Sequence, residues 1–132
     1  MQEEYEDMIE SATMKVWGKE ITIDMLADEP LRVNDPVNLK NFVDELVRRI
    51  DMKSYGKTQI ELFGEGELYG YTVVQLIYTS NITLHTTQKG EAYLNLFSCK
   101  TFDENVVKDC VLEFFGGKID YSEVVYRGVK YN

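Results

Sequence analysis

The sequence predicts an α+β domain, a two-layer sandwich in which a mostly antiparallel sheet carries two helices on one face, in the order β-α-β-β-β-β-α-β. Three observations lead there. Two segments repeat their apolar residues every three to four positions, as amphipathic helices do. The remaining apolar segments are short and strand-like, some with a clear period of two. Four of these runs follow one another through short connections, which favours antiparallel neighbours. No repeat, low-complexity tract or linker divides the chain. At 132 residues, 44% of them hydrophobic, it has enough apolar mass for one core.

The first ten residues carry five acids and no base, and 1–14 is read as an acidic, solvated arm ahead of a single domain at 15–132. Trp17, Ile21, Ile23 and Met25 then alternate with polar Thr22 and Asp24, the pattern of a half-buried strand. Asn34-Asp35-Pro36 supplies a capping side chain and a proline for the first helical position. Leu39, Phe42, Val43, Leu46, Val47 and Ile50 form the apolar stripe of that helix, opposite Lys40, Asp44, Glu45 and Arg48. Strands are expected near 58–63, 69–79, 81–87 and 91–98. Gly64-Glu65-Gly66 between the first two is a turn, since it lacks the lysine and helix start of a phosphate-binding loop. Asp103 caps a second helix with the stripe Val106, Val107, Cys110, Val111 and Phe114, stopped by Gly116-Gly117. A last strand follows near 119–127.

Composition narrows the function. With 14 basic and 23 acidic residues the net charge is −9, which argues against nucleic acid and anionic membrane as partners. No apolar run approaches the length of a membrane span, and no basic-then-apolar leader is visible, so a cytoplasmic protein is expected. In that compartment Cys99 and Cys110 stay reduced. A metal site is not expected, because His85 is the only histidine and the cysteines lack zinc spacing. The nine tyrosines, including Tyr69, Tyr71 and Tyr78, are best explained by strand propensity and packing.

The chemistry-bearing segment is Thr79-Ser80-Asn81-Ile82-Thr83-Leu84-His85-Thr86, followed by Phe97-Ser98-Cys99. It offers a hydroxyl, an imidazole and a thiol, the parts of covalent catalysis. Ser80 and His85 are five apart and face opposite ways in a flat strand, so only a bulge or turn between them unites them. Spacing alone favours a blander account: a strand serine, a satisfied imidazole and a small apolar cysteine.

The stretch Gly70-Tyr71-Thr72, Val73-Val74-Gln75-Leu76-Ile77-Tyr78, Thr79 to Thr86, and Gly90-Glu91-Ala92-Tyr93-Leu94-Asn95-Leu96-Phe97-Ser98-Cys99 resembles the core of bacterial and archaeal S-adenosylmethionine decarboxylase proenzymes. That family reads G-x-[ST], a valine-rich strand, E-S-H-[LI]-[SA]-I-H-T, then G-Y-A-x-V-D-[LV]-F-[TS]-C. The resemblance implies a chain that cuts itself before Ser80 and turns that serine into a pyruvoyl group, the electron sink for decarboxylation. It further implies that His85 assists the elimination, Thr72 supplies a processing hydroxyl, and Cys99 protonates the product carbon. The implied substrate is S-adenosylmethionine, the product the aminopropyl donor for spermidine synthesis, and the assembly a homodimer whose sheets or sites meet across a twofold axis.

Some positions depart from the pattern. Thr79 stands where the family has glutamate, Asn81 where it has histidine, and Glu20 where its opening Gly-x-His has histidine. Thr87-Gln88-Lys89 replaces Trp-Pro-Glu, so a cation stands in for the ribose-binding carboxylate and mildly repels a sulfonium. These departures define the alternative expectation: an uncleaved, catalytically silent relative that binds a ligand or partner, or an enzyme acting on a different substrate.

Overall fold

The computed structural model describes residues 14–131; the acidic arm expected at 1–14 lies outside the described residues except for Met14. The strands are β1 (Met14–Lys15), β2 (Gly18–Leu26), β3 (Ser54–Phe63), β4 (Gly70–Ile77), β5 (Ser80–Thr86), β6 (Glu91–Ser98), β7 (Lys118–Arg127) and β8 (Lys130–Tyr131). Two helices, α1 (Pro36–Arg49) and α2 (Glu104–Phe115), complete the expected order. Short 3-10 turns occupy Pro30–Val33 and Gly66–Leu68.

Both helices begin where local chemistry demands. Asp35 accepts from the Val37 amide at 2.9 Å with Pro36 at the first position, and Asp103 does the same for the Asn105 amide at 2.9 Å. α2 stops at Gly116, whose φ of 65° suits a residue without a Cβ. Added side chains here would also collide, since a Cβ on Gly117 would lie 1.9 Å from the Leu26 carbonyl oxygen.

Six strands form one antiparallel sheet in the order β3-β4-β5-β6-β2-β7, while β1 and β8 pair separately. The α1 stripe is buried throughout, and in α2 Val107, Cys110, Val111 and Phe115 are buried. These meet Ile21, Ile23 and Met25 of β2, Val73 and Ile77 of β4, Ile82 and Leu84 of β5, and Leu94 and Leu96 of β6. The architecture is therefore the α+β sandwich the patterning predicts. Thr22, Thr72, Val74, Asn81, Thr83, His85, Asn95 and Phe97 alternate onto the other, open face and are half-buried.

Two boundaries differ from expectation for identifiable reasons. β3 begins at Ser54 rather than 58 because a bulge between Tyr55 and Gln59 absorbs the polar, glycine-containing stretch, with Gly56 at φ 72°. Buried Gln75 satisfies it, its Nε2 donating to the carbonyls of Tyr55 and Gly56 at 3.3 Å and of Leu76 at 2.8 Å. The run expected at 69–79 ends instead at Ile77, and the turn Tyr78-Thr79 makes Ser80 the first residue of β5.

Candidate active site

β4 and β5 form a hairpin whose tip is Tyr78-Thr79, with Ile77 paired to Ser80 and Thr72 to His85. The tip is docked from three sides. The Tyr78 amide donates to the Lys53 carbonyl at 3.0 Å, and its ring meets Tyr55 edge-on with centroids 5.4 Å apart. The Thr79 hydroxyl donates to Met52 Sδ at 3.4 Å and accepts from Ser98 Oγ at 2.8 Å. The Thr79 carbonyl oxygen accepts from the Cys99 amide at 3.0 Å.

Ser80 is half-buried, and its Oγ accepts from Asn81 Nδ2 at 3.1 Å. Cys99, immediately after β6, is an exposed free thiol. Its loop is tied down on both sides. Lys100 donates its amide to Ser98 Oγ at 3.0 Å and pairs with Asp51 through its side chain at 3.3 Å. Lys19, only 3% exposed, reaches under the loop to the Phe102 carbonyl at 2.8 Å and the Glu104 carboxylate at 2.9 Å.

The other end of the hairpin holds the second pair. Thr72 Oγ1 and His85 Nδ1 are hydrogen-bonded at 2.8 Å. Close approach of the strands fixes this end: a Cβ on Gly70 would lie 1.9 Å from the Thr86 carbonyl oxygen, and the Tyr71 amide donates to Thr86 Oγ1 at 3.1 Å. Across the sheet Tyr93 is the register partner of His85. Burial, then the neighbouring charge of Glu91, pushes the Tyr93 phenol above its ordinary pKa.

The four expected residues thus fall into two groups, Thr72 bonded to His85 at one end of the hairpin, and Ser80 at the turn whose preceding residue, Thr79, takes the Cys99 amide. No bulge joins them, because the β5 pairings run unbroken from Ser80 to His85 against β4 and from Ser80 to Thr86 against β6. The physical reason is the core face: Ile82, Leu84 and Thr86 are all buried, and a one-residue slip would expel them. His85 therefore lies on the opposite strand face from Ser80, about 16 Å away along the chain at roughly 3.3 Å per residue.

The departing positions have partners of their own. Glu20 accepts from Asn95 Nδ2 at 2.9 Å and pairs with Arg127 at 2.6 Å on the open face. Arg127 also lies over the Phe97 ring at 5.6 Å, where Trp17 stacks with centroids 5.9 Å apart. Lys89 faces Glu67 at 3.7 Å, both well exposed. They border a cavity of about 440 Å³ whose other lining residues include Leu68, Thr87, Gln88 and Glu91. Among the described residues no three histidine, cysteine or acidic side chains gather as a metal centre, and no helix is long and apolar enough to cross a membrane.

Sequence reasoning passed over Lys19 and Ser98. Each occupies a core-facing position, Lys19 in phase with Ile21 and Ile23, Ser98 in phase with Leu94 and Leu96. A polar residue on an otherwise apolar phase was the available signal.

A family model described as S-adenosylmethionine decarboxylase matches residues 19–128, a span that contains Thr72, Ser80, His85 and Cys99. A comparison with curated proteins returns no match.

Proposed function

The chain belongs to the S-adenosylmethionine decarboxylase family, and we propose that it cleaves itself between Thr79 and Ser80 and then decarboxylates S-adenosylmethionine. The observation that carries this reading is the Cys99 amide already donating to the Thr79 carbonyl oxygen at 3.0 Å. Attack by Ser80 Oγ on the Thr79 carbonyl carbon develops negative charge on that oxygen. A fixed N–H aimed there favours the charged intermediate over the resting peptide.

The hydroxyl proton passes to the departing amide nitrogen, the C–N bond breaks, and an ester joins Thr79 to the Ser80 side chain. A base then removes the Ser80 Cα proton, and the ester oxygen leaves as part of the Thr79 carboxylate. Water hydrolyses the resulting dehydro residue, releasing ammonia and leaving a ketone at position 80. Once formed, that pyruvoyl carbonyl supplies the electron sink for loss of carbon dioxide. The exposed Cys99 thiol beside the turn serves as the proton donor to the product carbon.

His85 is the base for the elimination, with Thr72 fixing its ring. Because β5 keeps His85 away from Ser80 of the same chain, we assign the base to a second copy. In a homodimer, a twofold axis carries each Thr72–His85 pair toward the partner's Ser80 turn. The decarboxylated product is the aminopropyl donor of spermidine synthesis, and the free thiols suit a reducing cytoplasm. Co-expressing Ser80→Ala and His85→Ala chains tests the shared site. Cleavage of the His85→Ala chain in the mixture, but not alone, is expected; no cleavage in the mixture would remove the twofold assignment. Carbon dioxide release from carboxyl-labelled S-adenosylmethionine is expected from cleaved protein and absent from Ser80→Ala.

Lys89 favours one second reading: the same self-made carbonyl acting on another amino acid. The cavity beside it is rimmed by a cation where the family pattern has a carboxylate. A panel of labelled amino acids assayed beside S-adenosylmethionine separates the two, since the preferred substrate is the one with the larger kcat/KM.

A further inference from the structure

The hairpin tip is gripped by two consecutive residues of one neighbouring segment, and we infer that Ser98 is a positioning residue for self-cleavage, holding Thr79 so that its carbonyl stays on the Cys99 amide. The inference rests on the cleavage reading above.

Ser98 continues the core-facing phase of Leu94 and Leu96 and is completely buried. A hydroxyl in that position costs stability unless it is bonded. It donates to Thr79 Oγ1 at 2.8 Å and accepts from the Lys100 amide at 3.0 Å. The next residue, Cys99, donates its amide to the Thr79 carbonyl at 3.0 Å. Ser98 therefore fixes the Thr79 side chain and with it the Cα–Cβ direction, while Cys99 fixes the carbonyl. With Cα held, ψ of Thr79 is the principal rotation by which the carbonyl can leave its donor. The Thr79 hydroxyl donates to Met52 Sδ at 3.4 Å, so its oxygen is turned to receive the Ser98 proton.

The arrangement also gives Thr79 a role at the position where the family pattern has glutamate. A short hydroxyl serves as the acceptor between the Ser98 hydroxyl and the turn. Ser98 touches neither the attacking oxygen nor the carbonyl in these contacts; it acts through Thr79 and the Cys99 backbone.

The test follows self-cleavage of chain refolded from urea, with and without hydroxylamine, which opens an accumulated ester. Ser98→Ala is expected to slow cleavage about 3- to 10-fold, the effect of losing one neutral hydrogen bond. Ser98→Thr, which keeps the hydroxyl, is expected to recover most of the rate. Because the acyl shift itself is slowed, hydroxylamine is expected to leave Ser98→Ala slow while restoring chain scission in His85→Ala, which stalls after the ester forms. Thr79→Val removes the same bond from a half-buried position and is expected to slow cleavage by the same 3- to 10-fold, so the test stands if Ser98→Ala folds poorly. The double variant is then no slower than either single one. A wild-type rate in Ser98→Ala or Thr79→Val, or restoration of Ser98→Ala by hydroxylamine, would overturn the inference. A wild-type chain that never cleaves would overturn the cleavage reading and this inference with it.

Discussion

Replacing Thr72 by valine removes one hydroxyl while keeping the shape of the side chain, and it separates orienting the imidazole from supplying it. Thr72 Oγ1 and His85 Nδ1 are 2.8 Å apart in a half-buried pair. A neutral hydrogen bond of this kind is worth about 1 kcal/mol net. With 1.36 kcal/mol per tenfold, Thr72→Val is expected to slow self-cleavage about 5-fold. His85→Ala removes the base itself and is expected to cost on the order of 100- to 10,000-fold. Thr72→Ser keeps the hydroxyl and should stay near wild type. The assay is refolding from urea, quenching at intervals and reading the cleaved fraction by intact mass. If Thr72→Val were as slow as His85→Ala, Thr72 would be doing more than orienting a ring. If serine and valine at 72 were equally slow, the hydroxyl would not be the relevant group.

Three further outcomes follow from the environments described. Lys19→Ala removes a buried ammonium with its hydrogen bond to the Phe102 carbonyl and its ion pair to the partly exposed Glu104, and is expected to lower unfolding free energy by roughly 2 kcal/mol in urea titration; a loss below about 0.5 kcal/mol would contradict the anchoring role. Iodoacetamide at pH 8 is expected to label Cys99 alone in the folded chain and both thiols in denaturant, because burial pushes the Cys110 thiol up to about 12; equal labelling rates by peptide mapping would refute this. Hydrogen bonds from Arg48 and then Arg49 hold the Glu45 carboxyl at about 2, below its ordinary 4.5. A depressed carboxylate contributes stability above its unfolded value and loses it as pH falls toward the folded one. The melting temperature is thus expected to drop between about pH 5 and pH 2, and less steeply in Glu45→Gln; parallel curves would contradict the pairing.

Much of the fold is legible in local pattern. Asp35 and Asp103 cap their helices as read, and the stripe from Leu39 to Ile50 is buried, since both features depend on neighbours within one or two turns. In the second helix the stripe drawn through Val106 and Phe114 is only partly right: both are partly buried, whereas Phe115, outside that stripe, is buried in the final turn before Gly116. The β3 bulge was hidden because its compensation comes from Gln75 on another strand. The acceptor of Lys19 is similarly opaque, as Phe102 lies 83 residues away. At the candidate site, spacing correctly set Ser80 and His85 on opposite faces of a flat strand. Whether β5 is flat depends on how firmly Ile82, Leu84 and Thr86 are held in the core, which only the packed sheet settles. The backbone contact from Cys99 to Thr79 has no side-chain signature at all, so no residue pattern announces it.

The most direct measurement is the mass of the purified chain after refolding at neutral pH. Two fragments are expected, one ending at Thr79 with a free carboxylate and one beginning at position 80 that is blocked to Edman sequencing. A single species that remains at 15.3 kDa would contradict self-cleavage.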